Sequence, residues 1–147
     1  MRLCVFHHIL QAAQNFCTHQ LASSSQKIET LPKTRTLIAY LNIETDDAQK
    51  FHTYIGCDEL LIQAITEIFL GEENSDMETL NDMLLETTNM IVGSAKVLAS
   101  QVDGSHFTIS TPHLCNDNYD TISPDFFATL LIGEGEMSIA IKGANEE

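Results

Sequence analysis

The stretch SDMETLNDMLLETTNMIVGSAKVLAS, Ser75 to Ser100, decides the fold, because it reads as one long amphipathic helix. Ser75 is suited to the N-cap. Its hydroxyl is placed to accept the Glu78 amide, and the Glu78 carboxylate to reach back to the Ser75 amide, which is the reciprocal pattern of a capping box. Acidic residues in the first turn also favour the positive end of the helix dipole. On a wheel of 3.6 residues per turn, Met77, Leu80, Leu84, Thr88, Ile91, Ala95 and Leu98 share one face. That is the spacing of a stripe buried against a core.

The opposite face carries Asp82, Glu86, Asn89 and Gly93, spaced by four, three and four, so two carboxylates, an amide and a glycine line up toward solvent. Any surface helix has a polar face, and a solvated stripe would need no further explanation. Two residues argue for more. Asn is a mediocre helix former, because its side chain competes for backbone hydrogen bonds, and Gly costs about 1 kcal/mol relative to Ala in a helix interior. A glycine leaves a smooth spot where another surface can approach closely, beside an amide that both donates and accepts. Asp82, Glu86, Asn89 and Gly93 are therefore the candidate docking face.

The run Asp82-x-x-x-Glu86-x-x-Asn89, continued by Met90-Ile91-Val92-Gly93-Ser94-Ala95-Lys96, resembles the signature helix of the CheC/CheX/FliY family of chemotaxis phosphatases. Glu-x-x-Asn alone would be a weak signal. The preceding acid, the Asn-Met-Ile-Val-Gly run and the later Ile-Ser-Thr-Pro at Ile109 to Pro112 make the similarity specific, over roughly Gly56 to Pro112. The CheC and FliY branches carry two such motifs. Here the first helix has Gln11, Gln14 and Asn15 but no Glu-x-x-Asn, so the chain is most similar to the CheX branch.

The resemblance implies a phosphatase that acts on the phosphoaspartate of a CheY-type response regulator. Mg2+ would be held by the regulator, and no cofactor is expected on this chain. The resemblance assigns Asn89 to orienting the attacking water and Glu86 to pairing with the regulator's active-site lysine, with Asp82 at the edge of the interface. The competing reading is a non-catalytic adaptor for a receiver domain or a flagellar switch component.

At 147 residues the chain fits one domain, 1–147, long enough to bury about two-thirds of its unfolded surface. Apolar residues make up 44% and mean hydropathy is −0.02, as in a water-soluble globular chain. The apolar first helix is interrupted by His7, His8, Gln11, Gln14 and Asn15, so it reads neither as a membrane span nor as a signal segment, and a cytoplasmic location is expected. The net charge of −14 is uneven: residues 1 to 55 carry five basic and four acidic groups, residues 56 to 147 two basic and seventeen acidic. Such a field repels nucleic acid and anionic membranes and attracts a protein with exposed lysines, though it would also serve solubility alone.

Cys4, Cys17, Cys57 and Cys115 form no Cys-x-x-Cys pair and read as buried thiols rather than as a disulfide framework or a zinc ribbon. Cys4 with His7 and His8, and His113 with Cys115, fall short of a complete metal ligand set. Asp117 and Asp120 lack the twelve-residue pattern of a calcium loop. A Gly-x-Ser-x-Gly elbow is absent, and Gly133-x-Gly135 reads as a turn between strands rather than a phosphate loop.

From Leu3 to Leu21 the positions Leu3, Phe6, Leu10, Ala13, Cys17 and Leu21 give an amphipathic first helix, ended by Ser23 to Ser25. Gln26 to Ile43 alternates as a single strand from Thr34 onward, with Phe51 to Ile55 returning as its hairpin partner and Gly56 closing it. Asp58 opens a helix with Leu60, Leu61, Ala64, Ile65, Ile68 and Phe69 as its buried positions and Gly71 as its C-terminal cap. After an Asp103-Gly104 turn, Phe107 to Ser110 is a strand and Leu114 to Thr121 an exposed loop. Phe126 to Ile132 and Met137 to Ile141 make a second hairpin, and the tail from Lys142 should fray.

The pattern predicts an α+β fold with long amphipathic helices on a largely antiparallel sheet. The second hairpin is apolar with few flanking charges. Placed on the outside of the sheet, it would expose unpaired backbone, so a homodimer that pairs strands across a two-fold is expected.

Overall fold

A computed structural model describes residues 2–32 and 36–144. The elements follow in the order α1 (Arg2–His19), β1 (Gln26–Ile28), β2 (Thr36–Thr45), β3 (Lys50–Asp58), α2 (Glu59–Leu70), α3 (Met77–Asp103), β4 (Phe107–Ile109), β5 (His113–Cys115), α4 (Tyr119–Ile122), β6 (Phe126–Ile132) and β7 (Gly135–Gly143). The strands form one seven-stranded sheet in the order β1-β6-β7-β3-β2-β4, with β5 also paired to β2. Every pairing is antiparallel, so the α+β expectation holds.

Alternation along the strands gives the two faces of the sheet different partners. In β2, Ala39, Leu41 and Ile43 join Ile55 of β3 and Ile139 and Ile141 of β7 in the main core, with Leu80, Leu84 and Ile91 of α3 and Ile9 and Ala13 of α1 packed over them. Each large aliphatic side chain buried this way contributes about 1.5 to 3 kcal/mol relative to exposure. Ile38, Tyr54 and Ala140 point to the other face, where Tyr119 and Ile122 of α4 cover them in a smaller cluster. Gly56 lies within β3 on this second face. A Cβ there would come within 2.5 Å of Ser138 Oγ and 3.0 Å of the Tyr119 hydroxyl, which themselves form a buried hydrogen bond of 2.7 Å. It does not close the hairpin.

Several local expectations change. The stretch from Gln26 to Ile43 is two strands on opposite sides of the sheet: β1 pairs with β6, and β2 pairs with β3. Thr34 and Arg35 lie outside the described residues. The Leu114 to Thr121 segment is not simply a loop, since β5 pairs with β2 and Tyr119 is buried. In α1, Leu3 is exposed while Val5, Ile9 and Phe16 are buried. The chain from Lys142 to Ala144 is held rather than frayed: Lys142 Nζ donates to the Ile122 carbonyl at 2.6 Å and the Ala144 amide to Lys50 at 2.9 Å. Residues 145–147 lie outside the described residues.

The largest correction concerns the second hairpin. β7 lies between β6 and β3, and β6 between β1 and β7, so this hairpin is interior to the sheet. Its apolar character is that of strands covered on both sides, with Leu130, Ile139, Ala140 and Ile141 fully buried. The hairpin is therefore not the outer edge on which the expected two-fold was to be built.

Candidate functional site

The long helix is nucleated one residue later than its sequence pattern implies. Asp76, not Ser75, is the N-cap, and its carboxylate accepts from the Thr79 amide at 2.9 Å. The Thr79 donors hold the Asp76 carboxyl below its ordinary range. Ser75 is engaged elsewhere, its amide donating to Gln63 Oε1 at 3.0 Å and its hydroxyl to Glu72 Oε1 at 3.3 Å. These bonds tie the connection back to α2, which is why the Ser75 and Glu78 capping box does not form. At the other end Gly104, with φ 73°, caps the helix in the left-handed conformation.

The buried face of α3 is two residues wide rather than a single line: Met83 and Leu84, Thr87 and Thr88, Ile91 and Val92 pair along it. The Thr88 hydroxyl donates to the Leu84 carbonyl at 2.8 Å and so is satisfied in the core. Met77, expected inside, is exposed, and Leu98 is only partly buried. The remaining arc faces outward. Asp82, Glu86 and Asn89 are exposed and Gly93 partly so, and a Cβ built on Gly93 would meet nothing within 4 Å. Thus the four residues share one open face, with no neighbouring chain segment over the glycine. α2 carries no basic residue and α3 only Lys96, so the surface around Glu86 is anionic.

Two grooves run along one side of this ridge. One, of about 360 Å³, runs between α2 and α3 with Phe69, Leu70, Met83 and Met90 in it and Asp82 and Glu86 beside them. The second, of about 270 Å³, lies between α1 and α3 and is lined by Asn15, Phe16, His19, Met90 and Ser94. Met83, Met90 and Ser94, spaced by seven and four, mark the same flank of α3, and the grooves meet at Met90. Phe16 and Phe69 stack there at 6.1 Å and 12°, joining α1 to the end of α2. On α1, Gln11 Nε2 donates to Asn15 Oδ1 at 3.0 Å, so these amides bond to each other. A larger cleft, of about 600 Å³ between the start of α3 and the segment around Asn116, includes none of the four candidate residues.

The groove beside Glu86 exposes what the sequence pattern missed. Leu60, Ile68 and Phe69 of α2 were expected in the core, but they are 55%, 52% and 37% exposed, and Leu70 is 52% exposed. Leu61 and Ile65 are buried as expected, Ile62 and Thr66 are buried with them, and Ala64 is exposed. The run ELLIQAITEIFL is apolar on both sides, so a period of 3.6 fits two faces. The Thr66 hydroxyl, bonded at 2.7 Å to the Ile62 carbonyl, makes the inward turn tolerable. Asp58 opens the helix as expected, accepting from the Leu61 amide at 2.9 Å, and Gly71 closes it with φ 70°.

Among the described residues no three His, Cys, Asp or Glu side chains gather into a set able to hold a metal ion. Cys4 is exposed and Cys115 half-buried, contrary to a uniform reading of buried thiols, while Cys17 and Cys57 are in the core. Burial pushes the Cys17 thiol up to about 11 and the Cys57 thiol higher still. His8 Nε2 lies 3.0 Å from Asp103 Oδ2, linking the start of α1 to the end of α3. No helix among the described residues is long and apolar enough to cross a membrane.

The fold is similar to several solved chemotaxis proteins. The CheX protein of Vibrio vulnificus superposes with a TM-score of 0.72 at 20% identity, over 92% of this chain and 95% of that one. The CheX protein of Desulfovibrio desulfuricans gives 0.70 at 16% identity, over 95% and 99%. The CheX chain of the Borrelia burgdorferi complex of CheX with CheY, BeF3 and Mg2+ gives 0.66 at 17% identity, over 92% and 96%. No curated protein sequence matches the chain. The family model for chemotaxis phosphatase CheX matches residues 40–126, more than half of the chain and the whole of α3, so the chain belongs to the CheX family.

Proposed function

We propose that this chain dephosphorylates the phosphoaspartate of a CheY-type response regulator in chemotaxis signalling, with Asn89 and Glu86 as its working residues. The observation that carries the reading is that Glu86 and Asn89 stand one turn apart on the open face of α3, exposed and with Gly93 uncovered beyond them. Family membership supports the phosphatase activity, and the Borrelia burgdorferi complex supports CheY as the class of partner.

The regulator would bring the aspartyl phosphate and its Mg2+, so this chain's contribution is position. The Asn89 carboxamide enters the regulator's site and aligns a water with the aspartyl O–P bond. The water oxygen bonds to phosphorus as that bond breaks, and the products are inorganic phosphate and the free aspartate carboxylate. An amide suits the task, because it donates and accepts while adding no negative charge against the phosphoryl oxygens. Glu86 pairs with the regulator's lysine in a charge-assisted contact that fixes the docked geometry. Gly93 lets the two surfaces approach, and Asp82 adds negative charge at the interface edge.

The test is to mix the chain with phosphorylated receiver domains and follow phosphate. Accelerated release is the expected result. Binding to the phosphorylated form without accelerated release would instead support an adaptor.

A further inference from the structure

We infer that the groove between α2 and α3 is part of the partner-recognition surface and receives an apolar side chain of the receiver domain, one flanked on the partner by lysine or arginine. This rests on the phosphatase reading above and adds a specificity-determining residue, Leu70, that the signature helix does not contain.

Isolated exposed hydrophobics are ordinary, but Phe69 and Leu70 stand together, 37% and 52% exposed, over a groove that also contains Met83 and Met90. Phe69 is stacked on Phe16 of α1 and forms one wall of the groove. Leu70, at the last position of α2, supplies the exposed lip. Local stability gives no reason to leave Leu70 apolar there, since it is half in solvent.

Asp82 and Glu86 line the groove beside the apolar patch, and α2 brings no basic residue to it. An occupant must therefore be apolar at its centre and cationic around it. A second copy of this chain would bring two such acidic rims together, whereas a receiver surface that offers a lysine to Glu86 carries the matching sign. Glu86 lines the groove itself, so a partner seated on the ridge at Asn89 covers the groove in the same contact. Met90, one residue beyond Asn89, lines it too.

Steady-state phosphate release from a phosphorylated receiver domain, measured with Leu70→Ser, Leu70→Met and Leu60→Ser, tests the inference. Leu70→Ser should raise KM about tenfold while kcat stays within twofold, because an apolar contact is lost and the water-positioning group is not. Leu70→Met should restore KM. Leu60→Ser, equally exposed at the far end of α2 and outside the groove, should leave KM unchanged. An unchanged KM in Leu70→Ser would overturn the inference and leave the phosphatase reading standing. If the wild-type chain released no phosphate from any receiver domain, the phosphatase reading and the inference would fall together. Light scattering covers the other occupant: a wild-type dimer that Leu70→Ser converts to monomer, with KM unchanged, would assign the groove to a second copy and overturn the proposal.

Discussion

Asp58 accepts two hydrogen bonds that join distant parts of the chain: Oδ1 takes the Leu61 amide at 2.9 Å and caps α2, and Oδ2 takes the Glu136 amide at 3.1 Å at the start of β7. The carboxylate is buried at 5% exposure, so one side chain fixes the helix on the sheet. Replacing it by Ala removes a cap and leaves two donors to find new partners. Asp58→Ala should cost roughly 2 to 4 kcal/mol, read as a lower urea midpoint at unchanged slope. A loss under about 0.5 kcal/mol would mean that other groups hold α2 in register.

The role of Gly93 separates stability from recognition. Its φ is not in the left-handed region and a Cβ would meet nothing, so Gly93→Ala should stabilise the protein by about 0.5 to 1 kcal/mol through the helix preference of alanine. The added methyl stands on the docking face, so the same variant should bind a phosphorylated receiver domain more weakly. Calorimetry and a binding titration on one preparation would check both. Higher stability with unchanged affinity would remove Gly93 from the interface.

How much of this was legible depended on whether a pattern had one solution. The signature face was readable because Asn89 and Gly93 break a helix's own preferences at helical spacing from Asp82 and Glu86, and the structure leaves all four on the open side of α3. The cap at Asp58 and the turns at Gly71 and Gly104 were readable for similarly local reasons. Strand order was not. Phe126 to Ile132 is apolar in sequence whether it lies at an edge or inside a sheet, and only the pairing of β1 with β6 decides between them. The inward face of α2 was ambiguous for the same reason: Leu60 and Leu61, or Ile65 and Ile68, fill a core equally well until the angle of the helix on the sheet is fixed.

The thiols should react in the order of their exposure. At pH 8 a thiol at about 11 is only about one part in a thousand thiolate, so Cys17 should be nearly inert, with Cys57 at least as slow. Cys4, exposed on α1, should label first and Cys115 next. Mass spectrometry after a brief exposure to iodoacetamide would show this. Early labelling of Cys57 would contradict its place under the helices.

Glu86→Ala should weaken binding to a phosphorylated receiver domain by about ten- to a hundredfold, the loss of a charge-assisted contact worth about 1.5 to 3 kcal/mol. The wild-type complex should lose affinity with added salt more steeply than the variant, because screening acts on the pair that the variant lacks. Equal salt dependence would place the partner's lysine elsewhere.

The central claim is that Asn89 positions the attacking water. The direct measurement is phosphate release by Asn89→Ala, alongside its affinity for the phosphorylated receiver domain. Because Asn89 is exposed on the open face of α3, the variant should fold normally and still bind, yet lose roughly a hundredfold or more in turnover. Turnover close to that of the wild type, with binding intact, would contradict the account.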